Sequence, residues 1–378
     1  VMIKPQLFFQ YLKKEGIDFY TGVPDSLLKD LCFYISDYSK ENKHIIAANE
    51  GSALSISIGY HVATNNVPVV YLQNSGLGNL INPLLSLADK DVYSIPMLLI
   101  IGWRGKPGVK DEPQHKKTGR IMLDMLKSMK IPYKVINKSN KPEKIKAITG
   151  HLINKSKKNN SPVALIVERD TFEKYKLKNI NKKKYPLVRE KAINIIMNYI
   201  GLKDVIISTT GFTSRELYEY RKNNNQDHSR DFLTVGGMGH ASQIALGIAL
   251  HSKNKSVYCF DGDGSIIMHM GSLSTNGNIK CTNLKHIVFN NGSHESVGGQ
   301  PTTAHEFNIK NIAKNMGYDL TLSATNERQL KKAIVEIKEY KGSCFLEVMI
   351  SNGTRADLGR PKSSPQENKK LLMSFLKK

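Results

Sequence analysis

Two short stretches carry the residue types best suited to chemistry. Residues 261–265 read DGDGS directly behind the apolar run SVYCF, and a pair of asparagines closes KHIVFNN at 285–291. Glycines let the backbone approach a phosphate closely, and a helix starting near Ser265 (SIIMHMGSLSTNG) would offer it free amides and the positive end of a dipole. Magnesium prefers oxygen ligands and keeps phosphates in its shell, so Asp263 is placed to hold a magnesium ion that bridges to that phosphate. Asn291 follows Asp263 by 28 residues, an interval that fits one helix and one strand of a βαβ unit and predicts a neighbouring strand end. On its own, GDG is also a common tight turn. The distal NN is what argues for a site.

Strand ends of this kind need parallel strands behind them. Short, nearly continuous apolar runs recur with helical patterns between them: VPVVYLQ (67–73), PMLLIIG (96–102), PVALIV (162–167), DVIIST (204–209), SVYCFD (256–261), KHIVFNN (285–291) and CFLEVMI (344–350). Runs rich in Val and Ile suit parallel strands buried on both faces, so the chain is α/β. The lysine-rich stretch 170–190 lacks an apolar period and reads as a linker between halves 1–180 and 181–378, each with its own doubly wound sheet. Ligands of such sheets bind beyond the carboxyl ends of the strands. There the unusual residues fall: Asp25, Glu50, Asn74, Arg104, Thr210, Asp263 and Asn291.

The 378-residue chain is 40% hydrophobic, has no apolar run near the ~18 residues of a membrane span, and starts without a secretory pattern. A cytoplasmic enzyme is expected. The four cysteines form no zinc spacing and read as buried thiols. The formal charge of +22 raises nucleic acid, a membrane surface or an anionic small substrate as partners. The lysines come with asparagine (INKSKKNNS, NINKKKYP) and without interleaved aromatics, which points to solvated faces and next to steering of an acidic substrate. A basic nucleic-acid-binding protein is the remote alternative.

GDGS followed by NN, from Gly262 to Asn291, resembles the thiamine diphosphate motif of the thiamine-dependent 2-keto acid decarboxylases and acetolactate synthases. The resemblance implies magnesium ligands Asp263, Asn291 and the carbonyl of Ser293, with Gly264 and Ser265 on the diphosphate. The family also needs a glutamate on the aminopyrimidine ring, little hydrated and raised in pKa by burial; HIIAANEGSALS supplies Glu50. Glu50 alone also fits a helix N-terminal charge. TVGGMGHAS resembles the segment that props the cofactor in its bent form, with Met238 as wedge and the carbonyl of Gly236 as acceptor. A core methionine is the other reading of Met238. Thr210 and Gly211 of STTGFTS resemble further diphosphate contacts. In this family the pyrimidine half of one subunit faces the diphosphate half of another, which implies at least a homodimer.

The segments TGVPDSLL, WRGKPGVKDEPQH, NNGSHESVGGQPT and RADLGRPKSSPQENK resemble the compact branch of the family that lacks the central domain of larger relatives. That resemblance implies decarboxylation of 3-phosphonopyruvate to phosphonoacetaldehyde on the route to 2-aminoethylphosphonate, with sulfopyruvate or another 2-keto acid as the alternative substrate. Asp25, His115 and His294 are the candidates for proton transfer, and Arg104, Lys110 and Arg360 for the phosphonate. Asp25 also fits a helix N-cap, and the histidines fit surface loops. RGKPGVKDEPQH and SVGGQPT have the Gly and Pro content of lids.

Overall fold

The structure is a computed structural model that describes residues 2–40, 42–178 and 184–377. It divides into two compact units, Val1–Ile180 with Val297–Gln300, and Asn181–Ser296 with Pro301–Lys378. The first unit is built on β1 (Tyr20–Gly22), β2 (His44–Ile46), β3 (Val69–Gln73), β4 (Met97–Gly102), β5 (Tyr133–Ile136) and β6 (Pro162–Val167). The second carries β7 (Val205–Ser208), β8 (Asp231–Leu233), β9 (Val257–Gly262), β10 (Leu284–Asn290), β11 (Leu320–Ala324) and β12 (Cys344–Met349). Every ladder between these strands is parallel.

The spatial orders are β2-β1-β3-β4-β6-β5 and β11-β12-β10-β9-β7-β8. Counting β7 to β12 as first to sixth and reading from the other edge turns the second order into 2-1-3-4-6-5, the order of the first. The two units therefore repeat one topology, with the direction of winding reversing between their first and third strands. A doubly wound sheet opens a ligand crevice at that reversal.

Burial alternates with period two along the central strands. In the first unit Val69, Tyr71, Leu98, Ile100, Val163 and Leu165 pack on one face, while Val70, Leu72, Leu99, Ile101, Ala164 and Ile166 pack on the other. In the second unit, Tyr258, Phe260, Ile287 and Phe289 lie on one face, with Val257, Cys259 and Leu284 on the other. Such two-sided cores fix the register, because a one-residue slip exchanges the faces. They hold the strand ends, and the residues just beyond them, in fixed positions.

The stretch 170–190 is less of a polar linker than its composition predicts. Phe172 bridges to Ile3 and is buried in the first core, Leu177 is buried, and the helix Arg189–Met197 begins within the stretch. Its residues 179–183 lie outside the described residues. The four cysteines are free and buried. Among the described residues no helix is long and apolar enough to cross a membrane.

Candidate active site

In the second unit β9 and β10 are hydrogen-bonded neighbours, with Gly262 opposite Phe289, so Asp263 and Asn291 leave adjacent strand ends. The helix begins at Asp263, two residues before its expected start, and ends at Met268. A separate helix runs over Ser272–Ile279. Gly271 at the break is the signal that SIIMHMGSLSTNG is not one helix.

Asp263 is 3% exposed and its Oδ2 accepts from Thr302 Oγ1 at 2.5 Å. The hairpin that brings Thr302 there closes through Thr302 N to the Gly292 carbonyl and a bridge between Ser293 and Pro301. Burial pushes the Asp263 carboxyl up to about 6, against hydrogen bonds from Thr302 and from the backbone at Asp263, Gly264 and Asn291. An anion desolvated in this way calls for a cation. A carboxylate, the Asn291 amide oxygen and the Ser293 carbonyl are hard oxygen donors of the kind magnesium takes, and Ser293 Oγ is buried without a partner among the described residues. The residues present therefore fit the metal implied by the sequence.

The adjoining loops are tied to one another. Ser265 Oγ accepts from Gly239 N at 3.0 Å and lies 3.1 Å from Thr209 Oγ1, linking DGDGS to both other glycine-bearing loops. Gly211 (φ 95) starts the helix Phe212–Asn223 directly after Thr210. Met238 is half-buried in a turn between Gly237 (φ 66) and Gly239 (φ 88), two residues past Gly236, so it is not a core methionine. Gly264 leaves room for His294, whose Nδ1 would stand 2.9 Å from an added Cβ. Burial pushes His294 down to about 4, so its ring is neutral at pH 7.

The two asparagines divide their work. Asn290 braces the strand, donating to Glu347 Oε1 at 2.8 Å and accepting from Gly292 N at 3.0 Å. Asn291 turns its Nδ2 to Glu295 Oε2 at 3.1 Å. The first acid of DGDGS has a similar bracing role. Asp261 accepts from Gly262 N and meets His286 Nε2 at 3.4 Å, while His286 Nδ1 meets Tyr318 OH at 2.9 Å. Cys259, Asp261 and His286 bring ligand-type atoms within 4.8 Å of one another, but the acid and the imidazole already serve this buried chain.

In the first unit Glu50 opens the helix Glu50–Thr64, behind Asn49, whose Oδ1 caps Ser52 N at 2.8 Å. Glu50 is 5% exposed, and burial raises its pKa against one opposing side-chain hydrogen bond, from Asn79 Nδ2 to Oε2 at 2.8 Å. A Cβ at Gly76 would overlap Glu50 Oε1. Gly76 has φ −73, which any residue adopts, so glycine is required there for space and not for conformation. Gly76→Ala should leave the fold intact and lower kcat on the order of 10²-fold by displacing the carboxylate. Steady-state kinetics beside a melting curve check this; an unchanged kcat would mean that the position of Glu50 is unimportant.

Asp25 is fully buried, with Oδ2 accepting from Leu28 N at 3.1 Å and Oδ1 without a partner among the described residues. Burial pushes it up to about 6, against nearby backbone amides and the charge of Arg104. It therefore caps the chain before the helix Lys29–Tyr38 and leaves its second oxygen without a partner among the described residues. His115 lies in the first turn of the helix Pro113–Ser128, not in a loop; Pro at the helix start in EPQH is the signal for this. Burial and then the Arg104 charge bring His115 down to about 4.

Among the expected phosphonate anchors, Arg104 already has partners. It forks onto Asp111 at 2.8 and 2.5 Å and donates to Ser26 Oγ at 2.8 Å. It still borders a cavity of about 840 Å³ beside Ser26, Lys29 and Arg169. Lys110 is exposed on the loop before Pro113, and Arg360 is exposed in the second unit. Sequence reasoning missed Gly76, Asn79, Thr302 and Glu295, and also Gln300, whose fully buried amide has no partner among the described residues.

Comparison with known proteins matches residues 5–131 to the N-terminal TPP binding domain of thiamine pyrophosphate enzymes and residues 209–348 to their C-terminal TPP binding domain. A phosphonopyruvate decarboxylase of Streptomyces viridochromogenes is 31% identical over 96% of this chain and 92% of its own. Another, from Streptomyces hygroscopicus, is 30% identical over 93% and 88%. A sulfopyruvate decarboxylase of Methanosarcina acetivorans is 24% identical over 96% and 95%.

Proposed function

Because this chain belongs to the thiamine pyrophosphate enzymes, we propose that it decarboxylates 3-phosphonopyruvate to phosphonoacetaldehyde and carbon dioxide, on a route to 2-aminoethylphosphonate. The observation that carries this reading is the 31% identity to a phosphonopyruvate decarboxylase, sustained over 96% of the chain. When bound, thiamine diphosphate supplies an electron sink for the electron pair left by departing carbon dioxide.

The chain's own residues supply the rest. Asp263, Asn291 and the Ser293 carbonyl would hold magnesium, and Gly264, Ser265, Thr210 and Gly211 would receive the diphosphate. Met238 and Gly236 would support the bound cofactor. Glu50, its pKa raised by burial, would be the acid-base group that faces the pyrimidine ring of the bound cofactor. Asp25, near pH 6 in its folded form, and the neutral rings of His115 and His294 give and take protons around the substrate. The protein is at least a homodimer, as the family resemblance implies. Arg104, Lys110 and Arg360 are the cations offered to the phosphonate.

Two measurements test this reading. Incubation with phosphonopyruvate, sulfopyruvate and pyruvate in turn, with phosphorus NMR and aldehyde trapping, should give fastest turnover of phosphonopyruvate. The likeness to a sulfopyruvate decarboxylase makes that acid the second reading, and turnover of it alone would replace the first. In thermal unfolding, thiamine diphosphate and magnesium together should stabilise the protein by about 2.7 kcal/mol at a ligand concentration near 100 times Kd. Either ligand alone should do far less. A shift with nucleic acid instead would favour the remote alternative.

A further inference from the structure

The motif NNGSHESVGGQPT and the residues just before RADLGRPKSSPQENK meet at one side chain that the proposed reaction does not use. Glu295 accepts from Asn291 Nδ2 at 3.1 Å and from Arg189 Nη2 at 2.9 Å through Oε2, and from Gly353 N at 2.7 Å through Oε1. Arg189 is itself buried, forked onto Glu216 at 2.8 and 3.2 Å, and it donates to Thr354 Oγ1 at 3.0 Å. The segment after Gly353 is anchored again further on. Arg355 pairs with Glu190 and Glu219, and Arg215 donates to the carbonyls of Leu358 and Gly359.

This node decides which way the Asn291 amide faces. Both oxygens of Glu295 accept hydrogen bonds, so the NH2 end of the amide faces Glu295. On the other side Ser293 N donates to Asn291 Oδ1 at 3.1 Å. Flipping the amide would set oxygen against carboxylate and NH2 against an N–H donor, losing two hydrogen bonds and adding two repulsions. With the amide held in this sense, Oδ1 keeps one lone pair beyond the one given to Ser293. That lone pair is what a cation shared with Asp263 would use.

We propose that Glu295 is a positioning residue for the divalent cation: it fixes Asn291 with oxygen toward the metal, and the segment from Gly353 to Gly359 sets metal affinity through it. This rests on the proposed assignment of Asp263 and Asn291 as metal ligands. Outer partners of metal ligands are typically worth about 10–100-fold in affinity.

The test titrates Mn2+ into the full chain with thiamine diphosphate present, reading free Mn2+ by EPR, with metal-free melting as a fold control. Glu295→Ala should weaken Mn2+ binding by about 10–100-fold. Glu295→Gln keeps one acceptor for the Asn291 amide or the Gly353 N–H and should restore most of that loss, which a general packing defect would not do. Asp263→Asn should lose Mn2+ altogether. If Asp263→Asn loses the metal while both Glu295 variants bind it as the wild type does, the positioning role is overturned. If Asp263→Asn also binds normally, the metal assignment beneath it fails. Should Glu295→Ala not fold, the Gln variant decides by the same comparison, with a weakening of severalfold expected and none overturning the proposal.

Discussion

Glu50→Gln should lower kcat by about 10³-fold while binding of thiamine diphosphate and metal stays close to that of the wild type. The substitution is nearly isosteric. The Gln amide oxygen can accept from Asn79 Nδ2 as Glu50 Oε2 does, and Gly76 leaves the same space beside it, so the side chain should keep its place. What disappears is the proton. A glutamine can donate a hydrogen bond to a ring nitrogen, but it cannot exchange a proton with it. At neutral pH the variant should also melt no lower than the wild type without ligands, because a buried carboxyl with a raised pKa is an electrostatic cost that the amide does not carry. Single-turnover kinetics on protein loaded with thiamine diphosphate, beside calorimetric binding, separate the two effects. A variant with wild-type kcat would remove Glu50 from the chemistry, and one that no longer binds thiamine diphosphate would make it a binding residue.

The sequence carried the strand ends well because they rest on short-range patterns. Val and Ile runs with helical spacers predict parallel strands, and a 28-residue interval predicts that Asp263 and Asn291 share an edge of one sheet. What it could not carry was contact between distant positions. Gly76 and Asn79 matter because they close on Glu50, 26 and 29 residues earlier, and nothing in NSGLGN announces that approach. Glu295 was visible in GSHES, but its three partners come from residues 189, 291 and 353. Edge strands such as β2 and β8, three residues each, are too short to show a period. The shared order 2-1-3-4-6-5 was equally hidden, since the two units repeat a topology and not a residue pattern. Arg104 has a partner that was hidden in the same way. Asp111, seven residues on, folds back onto its guanidinium.

Asp25→Asn should make the protein more stable above pH 6 and much less active, and the pH dependence identifies the cause. The carboxyl is pushed up to about 6 by burial, whereas in the unfolded chain it ionises near its ordinary value of 3.8. Between those values the folded state holds a proton that the unfolded state has released. The stability contributed by this group is therefore fully present below about pH 4 and is lost as pH rises through 6. Asparagine has no such loss. The gap in stability between variant and wild type should be roughly constant below pH 4, widen between pH 4 and 6, and level off at a further 3 kcal/mol or so, from about 1.4 kcal/mol per pKa unit. The depressed pKa of His115 has the opposite sign, lowering stability as the pH falls toward 4, but that part is common to both proteins and cancels in the difference. Because Asn Oδ1 can still accept from Leu28 N, the turn before the helix should survive. Activity should nevertheless fall by about 10²–10⁴-fold, the range for losing a positioned acid or base. Melting both proteins from pH 4 to 8 checks the first half and kcat the second. A gap that does not change with pH would mean that Asp25 keeps an ordinary pKa when folded, and unchanged kcat would leave it a capping residue alone. Widening together with lost activity would mean that the fold tolerates a destabilising buried acid because the reaction uses its proton.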